Sequence, residues 1–162
     1  MVTKYTRFTN VEVTGKLKVS DLDPSNVFKG GSQQASKASI ATTGNSDAFL
    51  IVPSDGVIVG AIYSGADALS ANDTNFVTWS ITNLGQAGSG STAILAATDA
   101  NTTKATGGTG ITANARRNLV LNATPANLAV VAGDRLRIRA AATGTLAGAV
   151  GGNVYLLQFN TE

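Results

Sequence analysis

The run Arg135-Leu136-Arg137-Ile138-Arg139 is the sharpest chemical pattern in this chain. Side chains alternate between faces along a strand, so the spacing predicts three guanidiniums on one face with Leu136 and Ile138 on the other. Such a row can clamp carboxylates bidentately on a partner surface or across a subunit boundary. An ordinary solvated sheet face carries the same pattern, and there surface charges contribute little.

The other candidates for chemistry are weaker. Gly108-Thr109-Gly110-Ile111-Thr112-Ala113 matches the letters of the dinucleotide-binding G-x-G-x-x-A fingerprint. That motif needs a hydrophobic strand before it and a helix after it. A Thr/Asn/Gly-rich stretch precedes it here and Asn114-Ala115-Arg116-Arg117 follows, so it reads as a loop. Asp99-Ala100-Asn101 starts like a calcium loop without its later Gly and Glu. Asn72-Asp73-Thr74-Asn75 reads as an Asx-turn more readily than as a cation site. The chain has no His and no Cys, which removes a serine triad built on His, Cys nucleophiles, thiolate metal sites and disulfides. No catalytic, cofactor-binding or metal-binding residues are assigned, and the reading is not enzymatic. Trp79 and Tyr63 would stack on sugars if exposed, although regular strand positions favour core filling for both.

The elements that must position the arginine row are short β-type runs punctuated by Gly, Asn, Asp, Ser and Pro. Strands are expected at Ala38–Thr43, Asp47–Pro53, Val57–Tyr63, Asn75–Leu84, Thr92–Ala97, Arg116–Thr124, Arg135–Ala140 and Asn153–Phe159. Phe49-Leu50-Ile51-Val52 reads as a continuous run of buried-strand type, and Pro53-Ser54-Asp55-Gly56 as a turn with a hairpin-favouring Asp-Gly pair. Val57, Val59, Ala61 and Tyr63 are expected on one face, with Ile58, Gly60 and Ile62 on the other. Asn127–Val131 reads as a brief helical turn. About eight such strands suit an all-β, antiparallel two-sheet, jelly-roll-like sandwich over residues 38–162.

Residues 1–37 read as an extended N-terminal arm and linker, too poor in apolar residues for a core. Val11, Val13, Leu17 and Val19 alternate with polar residues that include Lys16 and Lys18, and Gly15 breaks the register. This is a short hairpin or kinked strand, followed by a turn over Asp21–Ser25, and it would gain stability by adding to another subunit's sheet edge. Lys29–Gln34 reads as a flexible linker.

Net charge is +2, unevenly spread. Residues 1–37 carry six basic and three acidic groups, 38–103 carry five Asp and no Lys or Arg, and 104–162 carry six basic and two acidic groups. Such a dipolar chain suits a matching protein surface or copies of itself, not nucleic acid, whose footprint is a dense basic stripe. With an apolar fraction of 43% but only 6% aromatic, much of the core must be Ala and Val, and part of the stability is expected to come from association. The first residues lack the apolar core of a secretory signal, and Ala140–Phe159 is too broken by Gly to span a membrane, so no membrane partner is expected and synthesis in a host cytoplasm is.

Three phrases carry a family resemblance: Val52-Pro53-Ser54-Asp55-Gly56-Val57-Ile58-Val59-Gly60, Trp79–Gly85, and Val131-Ala132-Gly133-Asp134-Arg135-Leu136-Arg137-Ile138-Arg139. Together they resemble the jelly-roll decoration (cement) and head-fibre proteins of tailed bacteriophages. Asn10-Val11-Glu12-Val13-Thr14-Gly15-Lys16-Leu17-Lys18-Val19 is similar to the phrase that leads such chains. The resemblance implies a homotrimer on the capsid exterior, with the major capsid protein as partner, tying capsomers together. On this reading Val11, Val13, Lys16, Leu17, Lys18, Val19, Arg135, Arg137 and Arg139 carry the capsid or subunit contacts. The alternatives are a head- or tail-fibre module that binds host glycans, and a host-encoded sandwich domain of a trimeric recognition protein.

Overall fold

The computed structural model describes residues 31–160. Nine strands follow in chain order: β1 (Gly31–Ile40), β2 (Gly44–Ile51), β3 (Gly56–Ser64), β4 (Phe76–Asn83), β5 (Thr92–Ala93), β6 (Arg116–Leu119), β7 (Ala129–Val130), β8 (Arg135–Thr143) and β9 (Val150–Asn160). Two short 3-10 turns, Asp99–Asn101 and Pro125–Leu128, accompany them. The first sheet runs β1-β9-β3-β6 with β7 paired to the start of β3; the second runs β2-β8-β4-β5. All the strand pairs are antiparallel. With β7 set aside, this is the eight-strand order of a two-sheet jelly roll, and the expected fold class holds.

Apart from β4–β5 and β6–β7, successive strands alternate between the sheets, so most connections must carry the chain across the sandwich. The Pro53–Gly56 turn does this: β2 pairs β8 and β3 pairs β9, so the expected hairpin does not form. Gly56 is not among the positive-φ glycines, so the backbone a two-residue hairpin turn favours is missing. The tight turn lies instead at Val131–Asp134, where Gly133 has φ 87° and the Asp134 N–H donates to the Val131 carbonyl at 3.0 Å. It delivers the chain directly into β8.

The core lies between the sheets. Trp79, Tyr63 and Tyr155 form its aromatic centre, with ring centroids 4.7 Å apart for Tyr63–Trp79 and 5.4 Å for Tyr63–Tyr155. Ile40, Ile58, Ile81, Ile94, Leu136, Ile138 and Leu157 pack around them, fully buried. Each such side chain contributes roughly 1.5–3 kcal/mol on leaving water. Trp79 and Tyr63 are therefore core residues.

Four sequence expectations need correction. Gly31–Gln34, read as part of a linker, already belongs to β1 and pairs with Leu156–Phe159 of β9; backbone pairing, not side-chain hydrophobicity, recruits this polar segment. In β3 a bulge between Ile58 and Gly60 shifts the register, so Ile58 is buried with Ala61 and Tyr63 while Val59 turns outward. The expected faces hold only beyond the bulge. The helical turn comes two residues earlier than expected, and Ala129–Val130 pairs with β3 instead. β5 and β6 are shorter than their expected runs, although Leu95 and Leu121 still form a bridge beyond them.

Candidate functional site

The outer face of the second sheet gathers the unusual side chains. Along β8, Leu136, Ile138 and Ala140 are buried in the core, so the period of two sends Arg135, Arg137 and Arg139 outward, as the spacing predicts. On one flank the register sets Ile51 against Arg135, Phe49 against Arg137 and Asp47 against Arg139. On the other flank β4 sets Thr82 against Arg137 and Ser80 against Arg139. The row is thus edged by an apolar-acidic strand on one side and hydroxyls on the other.

The three arginines do different work. Arg139 forms a fork on Asp47, its Nε donating to Oδ1 and its Nη2 to Oδ2, both at 2.7 Å. That hydrogen bonding holds the Asp47 carboxyl below its ordinary value, against the opposing effect of burial, and raises Arg139 in turn. Arg135 lies over the Phe49 ring, its guanidinium carbon 4.2 Å from the centroid, a cation–π contact. Arg137 keeps its Nε buried without a hydrogen-bond partner. Among the described residues, neither Arg135 nor Arg137 meets a carboxylate.

Phe49 and Ile51 were missed by sequence reasoning. The run Phe49–Val52 looks uniformly buried, but only Leu50 and Val52 face the core; Phe49 is 46% and Ile51 58% exposed. A sheet covered on one side alone buries every second residue, and the alternation of polar and small residues just before this run carries the signal. Asp47 was likewise unassigned, because only the three-dimensional register shows its pairing with Arg139. The arm candidates Val11, Val13, Lys16, Leu17, Lys18 and Val19 lie outside the described residues.

The remaining motifs resolve into architecture. Arg117 donates to the carbonyls of Thr109 at 2.8 Å, Ala100 at 2.6 Å and Thr102 at 2.7 Å, and lies 5.2 Å from the Trp79 ring. Burial lowers its pKa from the ordinary arginine value. It is a staple for the 100–109 segment. The glycines of the dinucleotide-like motif serve close packing: a Cβ on Gly110 would sit 2.8 Å from the Leu69 carbonyl oxygen, and one on Gly108 2.7 Å from that of Lys104. Asn101, in the calcium-like stretch, donates to the Ala96 and Val120 carbonyls and accepts from the Val120 N–H. Asn72 accepts from the N–H groups of Thr74 and Asn75, the Asx-turn arrangement. Among the described residues no three His, Cys, Asp or Glu side chains gather where they could hold a metal ion. No helix among them is long and apolar enough to cross a membrane.

No protein-family model and no curated protein matches the chain. Two solved structures are similar to it. One, a chain of the cyanophage Pam1 capsid asymmetric unit, is 16% identical with a TM-score of 0.44, over 95% of this chain and 99% of that one. The other, from the structure of infectious bursal disease virus Gx strain, is 10% identical with a TM-score of 0.37, over 81% of this chain and 32% of that one.

Proposed function

We propose that this chain is a non-enzymatic virion structural protein, a decoration or cement protein that binds the outer capsid surface as a homotrimer and ties capsid subunits together. The observation that carries the proposal is the outer face of the second sheet. Arg135 and Arg137 stand there without carboxylate partners among the described residues, beside exposed Phe49 and Ile51. Cationic forks beside exposed apolar side chains match the composition of contact surfaces, which are enriched in Arg and aromatic residues. The phrases that resemble phage decoration chains point the same way.

In mechanism, the disulfide-free sandwich offers a preformed footprint, so little ordering entropy is lost there on binding. The N-terminal segment Val11–Val19 extends that contact by adding to a partner's sheet edge. Repetition over a lattice multiplies a modest affinity per copy. The glycan-binding alternative loses its stacking platform, because Trp79 and Tyr63 are 2% and 1% exposed.

Co-sedimentation with viral heads tests the proposal. The full chain is expected to pellet with heads, and deletion of residues 1–30 to abolish pelleting while the body stays folded. Full head binding by the truncated body, competed by host glycans, would favour the adsorption reading instead.

A further inference from the structure

We infer that the open edge of β2 takes an added strand from another protein, paired through the backbone of Asp47, Phe49 and Ile51, and that Arg135 receives a carboxylate carried on that strand. The inference deepens the function proposed above and rests on it only for the supplier of the strand, which is then the capsid shell protein.

β2 is an edge of the second sheet: it pairs with β8 and, among the described residues, with no other strand. Backbone groups of successive residues point to opposite sides of a strand. The Val52 N–H donates to the Asp134 carbonyl at 2.9 Å, and the Val52 carbonyl accepts from the Gly133 N–H at 2.8 Å, so Val52 faces the β8 side. Counting back by twos, Leu50, Ala48 and Ser46 face β8, while Ile51, Phe49 and Asp47 turn their N–H and carbonyl groups to the open edge. The far side of β8 agrees: the Arg135 carbonyl accepts from the Leu84 N–H, which leaves Leu136 to bond Leu50 across the register. The residues with open backbone groups are thus the ones whose side chains line the outer face.

Proteins protect long sheet edges with Lys, Pro, bulges or shortness. β5 and β6 are two and four residues long. β1 is longer, but it carries Lys37 and exposes Ser32, Gln34 and Ser36, which give an incoming strand no apolar grip. β2 runs eight residues without Lys, Pro or a break in register, and its Asp47 is already committed to Arg139. What borders this edge is attraction. Phe49 and Ile51 are exposed, and the Arg135 guanidinium lies over the Phe49 ring, displaced from its own strand toward β2. A strand added there lies about 4.8 Å from β2, so its outer-face side chains flank Phe49 and bring a carboxylate to Arg135. The six described Asp residues are all engaged within the body, Asp47 on Arg139, Asp99 on Lys104 and the others on N–H groups, so that carboxylate comes from a different protein.

Amide exchange and chemical-shift titration of the full chain test this with three synthetic probes: a capped heptapeptide alternating threonine with glutamate, its glutamine counterpart, and the glutamate peptide fully N-methylated. In the peptide-free chain the Asp47, Phe49 and Ile51 amides are expected to exchange fast, beside slow ones at Ala48 and Leu50. The glutamate peptide is expected to shift and protect them, the glutamine peptide to bind roughly three- to ten-fold more weakly, and the N-methylated peptide not to bind. Arg135→Gln should remove the preference for glutamate, and Arg116→Gln, exposed on the other sheet, should leave it unchanged. Equal binding of all three peptides, or of none, overturns the inference. So does protection of those amides before peptide is added: protection that grows with protein concentration gives the edge to a second copy, and constant protection gives it to this chain itself. Co-sedimentation separates the premise. Heads that pellet a chain to which the glutamate peptide does not bind defeat the strand site alone, whereas a chain that binds the peptide and ignores heads loses the shell protein as its supplier.

Discussion

Arg139 and Asp47 face each other across the β2–β8 pair, and the guanidinium holds the carboxylate by two hydrogen bonds of 2.7 Å. That fork keeps the Asp47 carboxyl below its ordinary value of 3.8, chiefly through the hydrogen bond from Arg139. A depressed folded pKa stabilises the fold fully above the ordinary value, and the contribution is lost as pH falls through the lower folded value. The pair sits about a quarter exposed, so Asp47→Asn is expected to cost only about 1 kcal/mol at neutral pH. Urea unfolding at neutral pH and at about pH 2.5 checks it: the gap between wild type and variant closes in acid. A gap of equal size at both pH values would sink this account of the pair.

Tyr63 and Tyr155 give a prediction at the other end of the pH scale. Burial pushes Tyr155 up to about 12 and raises Tyr63 as well. A raised folded value means that the unfolded chain ionises first, so stability is full below the ordinary value of 10.0 and is lost as pH rises beyond it. Phenolate absorbance is expected to show Tyr63 and Tyr155 ionising only together with unfolding, above the ordinary value of 10.0. Three tyrosines titrating together in the folded protein would contradict the aromatic core. Tyr63→Phe removes the 2.8 Å hydrogen bond to Asn153 Oδ1 and is expected to cost about 1–2 kcal/mol, because the buried acceptor loses its donor.

Arg117 is expected to be irreplaceable by Lys. Its planar fork reaches three carbonyls at once, which a single ammonium on a flexible stem does not match. Arg117→Lys should destabilise by about 1–3 kcal/mol. Amide exchange in residues 99–112 should accelerate before the rest of the body is affected. Uniform acceleration across both sheets would show that Arg117 supports the whole sandwich and not that segment.

The sequence carried the fold class because strand periods and turn residues agree over most of the body. The arginine row was legible for the same reason: Leu136 and Ile138 mark the inward positions, and the guanidiniums fall between them. Its surroundings were not legible. Asp47 lies 92 positions from Arg139, and nothing local announces that β2 will pair with β8. The phase shift in β3 was also hidden, since Val57-Ile58-Val59 satisfies either register and only pairing with β9 chooses one. β1 escaped notice at its first residues because Gly31-Ser32-Gln33-Gln34 has no apolar alternation, and its place is set by the backbone of a neighbouring strand.

Under the proposed function, the most direct measurement is the protein content of purified particles of the virus that would encode this chain. Quantitative mass spectrometry is predicted to find it in a fixed ratio to the major shell protein and accessible to surface labelling through Lys side chains on intact heads. Particles that assemble and mature without any copy of it would contradict the proposal at its root.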